Sequence, residues 1–411
     1  MKLLSALLFL PLVIACSSAE QPGSSQTGEV FSLEGGGVEE IESPAGPGAA
    51  HSFVSAAGDG SLLLSWLEPA GSNHALRISR LRDGSWSEPV TVVERDDLFV
   101  NWADFPSVIE ASDGRLAAHW LQKSGSSTYA YDVWIAQSAD GGQTWGTPFR
   151  LHDDTTQTEH GFVSMVPEPE TATVAAVWLD GRHMGGGHDG HGGDMTLRFG
   201  RFGPDGTVTD GKVLDTRTCE CCATGMALGS EGPVVVYRDR SENEIRDISI
   251  VRRTASGWTE PATLHADGWE IAGCPVNGPQ VAARGREVAV AWFTAPEGNA
   301  RVNVAFSSDG GATFGTPIRV DEAAAEGRVD LVLLSDGSAW VTWIEGEDPA
   351  AAVVGRKIGR DGTRSPLLKI AATTSARKAG FPRMAQAADG DLYVTWADSA
   401  TVTVRIARLR V

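Results

Sequence analysis

Leu62-Leu63-Leu64-Ser65-Trp66, Leu116-Ala117-Ala118-His119-Trp120, Val174-Ala175-Ala176-Val177-Trp178, Val234-Val235-Val236-Tyr237, Val288-Ala289-Val290-Ala291-Trp292, Ala339-Trp340-Val341-Thr342-Trp343 and Leu392-Tyr393-Val394-Thr395-Trp396 are one segment written seven times. Each is a short apolar strand closed by an aromatic. Successive aromatics stand 54, 58, 59, 55, 51 and 53 residues apart. Most of the segments follow a turn: Gly58-Asp59-Gly60, Asp113-Gly114, Glu231-Gly232, Asp336-Gly337 and Asp389-Gly390. Another short strand precedes each turn. A period of roughly 50 residues carrying about four strands is the mark of propeller blades, and no helical pattern alternates with the strands. The sequence therefore predicts an all-β chain, a single β-propeller of seven four-stranded blades, with six as the alternative should one repeat be degenerate.

The ends of the repeat predict how the ring closes. After Trp396 only one more strand fits, Val402 to Val411, so the last blade lacks its outermost member. The segment Glu29 to Ile41, with Val30-Phe31-Ser32-Leu33, can supply it and cover an otherwise open edge.

Two repeats carry a further signature, Ser138-Ala139-Asp140-Gly141-Gly142-Gln143-Thr144-Trp145 and Ser307-Ser308-Asp309-Gly310-Gly311-Ala312-Thr313-Phe314, each followed by Gly-Thr-Pro. Asp and Ser side chains can hold the turn amides, the glycines permit positive φ, and the aromatic packs between sheets. This S-x-D-x-G-x-T-W/F pattern resembles the Asp box of sialidases and other BNR-repeat proteins. The resemblance spans nearly all of residues 50–411 and implies their propeller fold. It is a poor guide to activity, since Asp boxes are structural turns and one fold hosts many functions. Sialidases use an arginine triad on the substrate carboxylate, a Tyr nucleophile helped by Glu, and an Asp acid/base. The arginine motif that opens their catalytic domain is not found here, and Tyr237 holds a repeat position filled elsewhere by Trp. The resemblance thus carries the fold without the catalytic set.

The first residues predict the compartment. Met1-Lys2 is a short positive start, Leu3 to Ile14 is an apolar run, and Val13-Ile14-Ala15-Cys16 closes it with a small residue before a cysteine. The run is too short to span a bilayer and has the layout of an export signal. It resembles the lipobox of bacterial lipoproteins, which implies removal of residues 1–15 and acylation of Cys16. Residues 16–29 then read as lipidated cysteine and flexible tether, and 30–411 as the propeller domain. Ser17 in place of the Asp linked to inner-membrane retention points to the outer membrane, facing periplasm or cell surface. A net charge of −19 argues against nucleic acid or anionic lipid as ligand.

Propeller geometry sorts the loops between two faces. The Asp boxes and Asp-Gly turns fall on one, and the unusual residues on the other. Just before inner strands stand His51, Asp104, His160, Cys219-Glu220-Cys221-Cys222, Cys274-Pro275-Val276-Asn277, and Arg328 with Asp330. Just after the repeat aromatics stand Asp180-Gly181-Arg182, Arg238-Asp239-Arg240 and Glu345. A mouth ringed by such loops is where a propeller holds ligands. Blade three adds the glycine-rich loop His183-Met184-Gly185-Gly186-Gly187-His188-Asp189-Gly190-His191-Gly192-Gly193-Asp194-Met195, whose His, Met and Asp residues suit a soft or borderline metal.

Four cysteines remain beside Cys16, three opening blade four and one opening blade five, hence neighbours in space. Two disulfides are one outcome in an oxidising compartment. A vicinal Cys221–Cys222 bond would be strained, which favours pairing with Cys219 and Cys274. The other outcome is a thiolate site for copper or zinc, completed by His183, His188 and His191. Three functions follow from these residues: a metal-handling or binding propeller of the cell envelope, a sialidase-like glycoside hydrolase using Asp180, Arg182, Arg238 and Asp239 on a glycan, or a scaffold for another envelope protein.

Overall fold

The computed structural model describes residues 37–185, 193–398 and 401–411. Cys16, the tether, and His188 and His191 of the glycine-rich loop lie outside the described residues, as do Val30-Phe31-Ser32-Leu33. Among the described residues no helix is long and apolar enough to cross a membrane.

Seven antiparallel sheets are present, one per repeat, each built around the segment that ends in an aromatic. That segment is the second strand of its blade in every case, from Leu62–Ala70 in blade one to Leu392–Asp398 in blade seven. The aromatics Trp66, Trp120, Trp178, Tyr237, Trp292, Trp343 and Trp396 are all buried. Alternate side chains of a buried strand reach opposite neighbours, so the hydrophobic clusters bridge blades. One joins Ala117 and Val133 of blade two to Val174 and Trp178 of blade three.

The period-two geometry also explains a pattern around these indoles. A residue two positions on lies on the same face of the strand. Trp66 Nε1 donates to Glu68 at 2.7 Å, Trp178 to Asp180 at 3.0 Å and Trp343 to Glu345 at 2.8 Å. A buried indole N–H needs such an acceptor, so the carboxylates that follow the aromatics begin as structural partners.

Closure runs as the sequence predicts. The strand Val38–Ile41 pairs antiparallel with Thr403–Leu409, in register from Val38 opposite Leu409 to Ile41 opposite Ile406. It forms the outer edge of blade seven, which the chain's last three strands leave one short.

Both Asp boxes form the same turn between the outer strands of their blades. Ser138 Oγ donates to Asp140 and accepts from Gly142 N, both at 2.8 Å, while Asp140 accepts from Thr144 N at 2.9 Å and Thr144 Oγ1 at 2.6 Å. In the second box the matching distances are 2.7, 2.9, 2.9 and 2.7 Å. Gly142 has φ 95°, and a Cβ there would stand 2.5 Å from Ile78 of the preceding blade.

Candidate functional site

The crossovers leading into the inner strands build the mouth. Within or just before several inner strands a residue lies in the left-handed region, namely His51, Phe162, Val276 and Arg328, with φ between 50° and 57°. Non-glycine residues there are strained unless held. A side chain of the preceding blade holds two of them, Phe162 and Arg328. Asp104 Oδ1 accepts from Phe162 N at 2.8 Å, and Asn277 Oδ1 accepts from Arg328 N at 2.7 Å. Asp330 likewise accepts from Met384 N at 2.7 Å. Three polar residues that stand out in the sequence thus tie one blade's mouth to the next.

Asp104 is one of three groups sharing protons. Tyr131 Oη lies 3.0 Å from Asp104 Oδ2 and 2.7 Å from Glu159 Oε1, and one hydroxyl proton serves only one of them. Burial pushes Asp104 up to about 7 and Glu159 up to about 8. For Asp104 the folded-state pKa exceeds the ordinary value near 3.9. Its stabilising contribution is therefore complete below about pH 4 and is lost as pH rises through about 7. Asp104→Asn keeps an acceptor for Phe162 N and turns an N–H toward Tyr131. Urea unfolding at pH 5 and pH 8.5 should show the variant gaining on the parent by about 1–3 kcal/mol between the two. A pH-independent difference would mean that Asp104 is already ionised at neutral pH.

Beneath the mouth a cavity of about 110 Å³ sits among inner-strand residues of several blades, including Phe53, Ser107, Ser164, Met226, Gln280 and Arg383. Arg383 is buried against Phe105 and Phe381, with Asp330 at 3.9 Å. Trp102 stacks on Phe381, and the Arg328 and Arg377 guanidinium groups lie over its ring. One apolar cluster holds Trp102, Phe105, Phe162, Met184, Cys221, Ala223, Val276 and Phe381. Met184 of the glycine-rich loop and Cys221 thus share a wall of the mouth.

The cysteines meet there. Cys219 Sγ lies 3.2 Å from Cys222 Sγ and 3.8 Å from Cys221 Sγ, and the Cys274 thiol reaches Cys221. All four are free thiols, with Cys219 and Cys222 buried and Cys274 exposed. Arg246, itself buried, donates to Cys219 Sγ at 3.3 Å, to Glu220 at 2.9 Å and to Glu244 at 2.8 Å. Burial opposes ionisation of Cys219, yet bonds from Cys221 and Cys222 and the Arg246 charge hold its thiol well below the usual range. Burial pushes Cys222 up. The arrangement offers a ready thiolate beside reserve thiols. Tetrahedral zinc with Zn–S of about 2.3 Å places sulfurs about 3.8 Å apart, close to the spacings seen.

The ends of the glycine-rich loop border this cluster. Gly193 N donates to His183 O at 2.6 Å, Thr218 N to Met195 O at 2.9 Å, and Arg217 pairs with Asp194 at 2.9 Å. His183 is exposed. The four residues read from the sequence as a hydrolase set, Asp180, Arg182, Arg238 and Asp239, all have partners within the protein. Asp180 is buried and takes both Nε and Nη2 of Arg182, at 2.7 and 2.9 Å, besides Trp178. Bonds from Arg182 lower Asp180 to about 2 against its burial. Arg238 donates to the backbone carbonyls of Asn277, Arg246 and Phe293 and lies over Trp269, joining blades four and five. Asp239 accepts from Ser249 at 2.9 Å.

A second group of side chains was not singled out as a whole by its sequence. His152 and His160 stack with ring centroids 3.9 Å apart, next to Asp132, and all three are buried. Burial pushes His152 down to about 3. Only His160 stood out in the sequence. The eight-residue spacing of the two histidines across a crossover, with Asp153-Asp154 between, was the available signal.

The repeat, the closure and the Asp boxes define a seven-bladed β-propeller. No protein-family model and no curated protein matches the sequence. Among solved structures, polysaccharide lyase Uly1 is similar with TM-score 0.54 and 8% identity over 88% of this chain and 90% of that one. A protein of unknown function from Dyadobacter fermentans gives 0.50 and 13% over 91% and 99%. A variant of the NanB sialidase from Streptococcus pneumoniae gives 0.48 and 10% over 85% and 83%. At these identities the likeness is one of fold.

Proposed function

We propose that this chain is a lipid-anchored propeller of the bacterial cell envelope that binds a soft metal ion, copper(I) or zinc, through Cys219, Cys221, Cys222 and Cys274. The observation that carries the reading is the convergence of two sulfurs, those of Cys221 and Cys222, within 3.8 Å of Cys219's own at a loop-lined mouth, beside a guanidinium that favours the thiolate. Thiolates select such metals over harder cations. Cys274, the exposed member, is the natural point of arrival, and Cys219 the buried anchor. His183, His188 and His191 are the further candidate ligands that the sequence offers.

The test is metal content and affinity of the full-length chain, purified without added reductant or metal. One copper(I) or zinc per chain is expected by native mass measurement. Cys219→Ser with Cys222→Ser should weaken binding at least about 100-fold, more than loss of an outer-shell partner does. A metal-free protein four hydrogens light, with two disulfides among the four cysteines, would sink the reading.

A further inference from the structure

We propose that the cavity beneath the mouth is a binding site for a small inorganic anion, chloride, held on the axis of the ring by the Arg383 guanidinium. It involves none of the cysteines.

The walls place the site. Phe53, Ser107, Met165, Met226, Gln280 and Arg383 belong to the inner strands of blades one, two, three, four, five and seven, and all line one cavity of about 110 Å³. A space bounded by the innermost strands of six blades lies where the blades converge.

Arg383 supplies the charge. Its side chain is only 8% exposed, and a guanidinium carries five N–H donors and keeps its proton in a protein. Nε has no hydrogen bond, and no acceptor for the other N–H groups is found among the described residues. The nearest carboxylate, Asp330, stands 3.9 Å from Nη1, too far for a hydrogen bond. Its oxygens accept instead from the Leu331 and Met384 amides. The ring centroids of Phe105 and Phe381 lie 5.1 and 5.9 Å from the guanidinium carbon. They favour the charge but offer no oxygen acceptor. Buried donors on a charge are costly unless something accepts from them.

The walls also say what that something is. Water would bring two protons that need acceptors of their own, against walls that Phe53, Phe105, Phe162, Met165 and Met226 make largely apolar. Chloride brings no proton, accepts several N–H bonds at once and leaves bulk water more easily than a small, hard anion. The Gln280 amide, in the same wall, offers a further N–H. Asp104 is the one carboxylate among the wall residues. Its Oδ1 is taken by Phe162 N, and burial pushes the group up to about 7, so below that pH it does not repel an anion.

The experiment follows thermal unfolding of the full chain at about pH 6, as sodium chloride replaces sodium gluconate at constant ionic strength. Going from about 1 to about 100 mM chloride should raise the melting temperature by about 2–5 °C, because the ion binds only the folded ring. Bromide should act alike. In Arg383→Met the melting temperature should not respond to chloride. A parent that melts at the same temperature in both salts overturns the proposal, since the guanidinium then holds water alone. An equal chloride response in Arg383→Met overturns it too, because the anion then sits elsewhere. Should that variant fail to fold, crystals of the parent grown in bromide decide. An anomalous peak within hydrogen-bonding reach of the Arg383 guanidinium supports the site, and a cavity without one overturns it.

Discussion

Deleting residues 30–45 is expected to lower the melting temperature by about 5–10 °C, whereas deleting residues 17–29 leaves it unchanged. The first deletion removes Val38–Ile41, the strand that covers the open edge of blade seven. Val38 packs with Leu392, Val394 and Leu409, and Ile41 sits against Val404 and Ile406. Burying two such side chains contributes about 1.5–3 kcal/mol each, and each ladder hydrogen bond about 1 kcal/mol. Ordering four residues costs about 1–2 kcal/mol apiece and offsets part of that gain. Ion pairs add position more than energy: Arg410 meets Glu39 at 2.9 Å, and Arg405 meets Glu40. The larger consequence is topological. Blade seven also abuts blade one, where Thr395 Oγ1 donates to Ser52 Oγ at 2.9 Å, so a frayed last blade loosens the ring. Val38→Asp in the intact chain should reproduce much of the loss by placing a charge in that core. Equal melting temperatures for both deletions would show that the ring closes without the strand.

The blades were legible because a repeat averages out local ambiguity. Seven copies of an apolar strand ending in an aromatic fix strand type, blade number and the face on which each loop emerges. The Asp boxes read equally well, since every contact in them lies within seven residues. What sequence could not give is the use to which an exceptional residue is put. Asp104, Asn277 and Asp330 look like ligand groups, yet each accepts an amide of the next blade, roughly one repeat further along the chain. Arg238 looks like an anion binder, yet it serves three carbonyls. In both cases the partner is backbone, which leaves no trace in residue identity. The imidazole pair was hidden for another reason. Asp132 belongs to a third strand and His152 to the following crossover, so the repeat assigns them to different faces of attention, and only the packing of blade two on blade three unites them.

Gly278→Ala should be the most damaging single substitution at the mouth, and it should strike fold and thiol cluster together. Gly278 is buried in the segment that carries Cys274, and it touches the segment that carries Cys219, Cys221 and Cys222. A Cβ there would lie 1.9 Å from Ala223 O, 2.7 Å from its carbonyl carbon and 2.8 Å from its nitrogen. These are backbone atoms, so no side-chain rotation relieves the contact. Nor can the Gly278 segment retreat. Arg238 of blade four holds Asn277 O at 2.9 Å, and Asn277 holds Arg328 N and Glu326 O of blade six. Overpacking alone costs about 1–3 kcal/mol, and here the relief must come from breaking those bonds as well, for a total of about 3–5 kcal/mol. The two cysteine-bearing segments must part to admit the methyl group, which carries Cys274 away from Cys221. Metal affinity at the thiols should therefore fall in whatever fraction of the variant remains folded. Gly273→Ala is the control from the same segment, because a Cβ there meets only Ile271, at 4.0 Å. Urea unfolding of the two variants decides the matter. Near-parental stability for Gly278→Ala would mean that the close approach of blades four and five is not what holds the cysteines together.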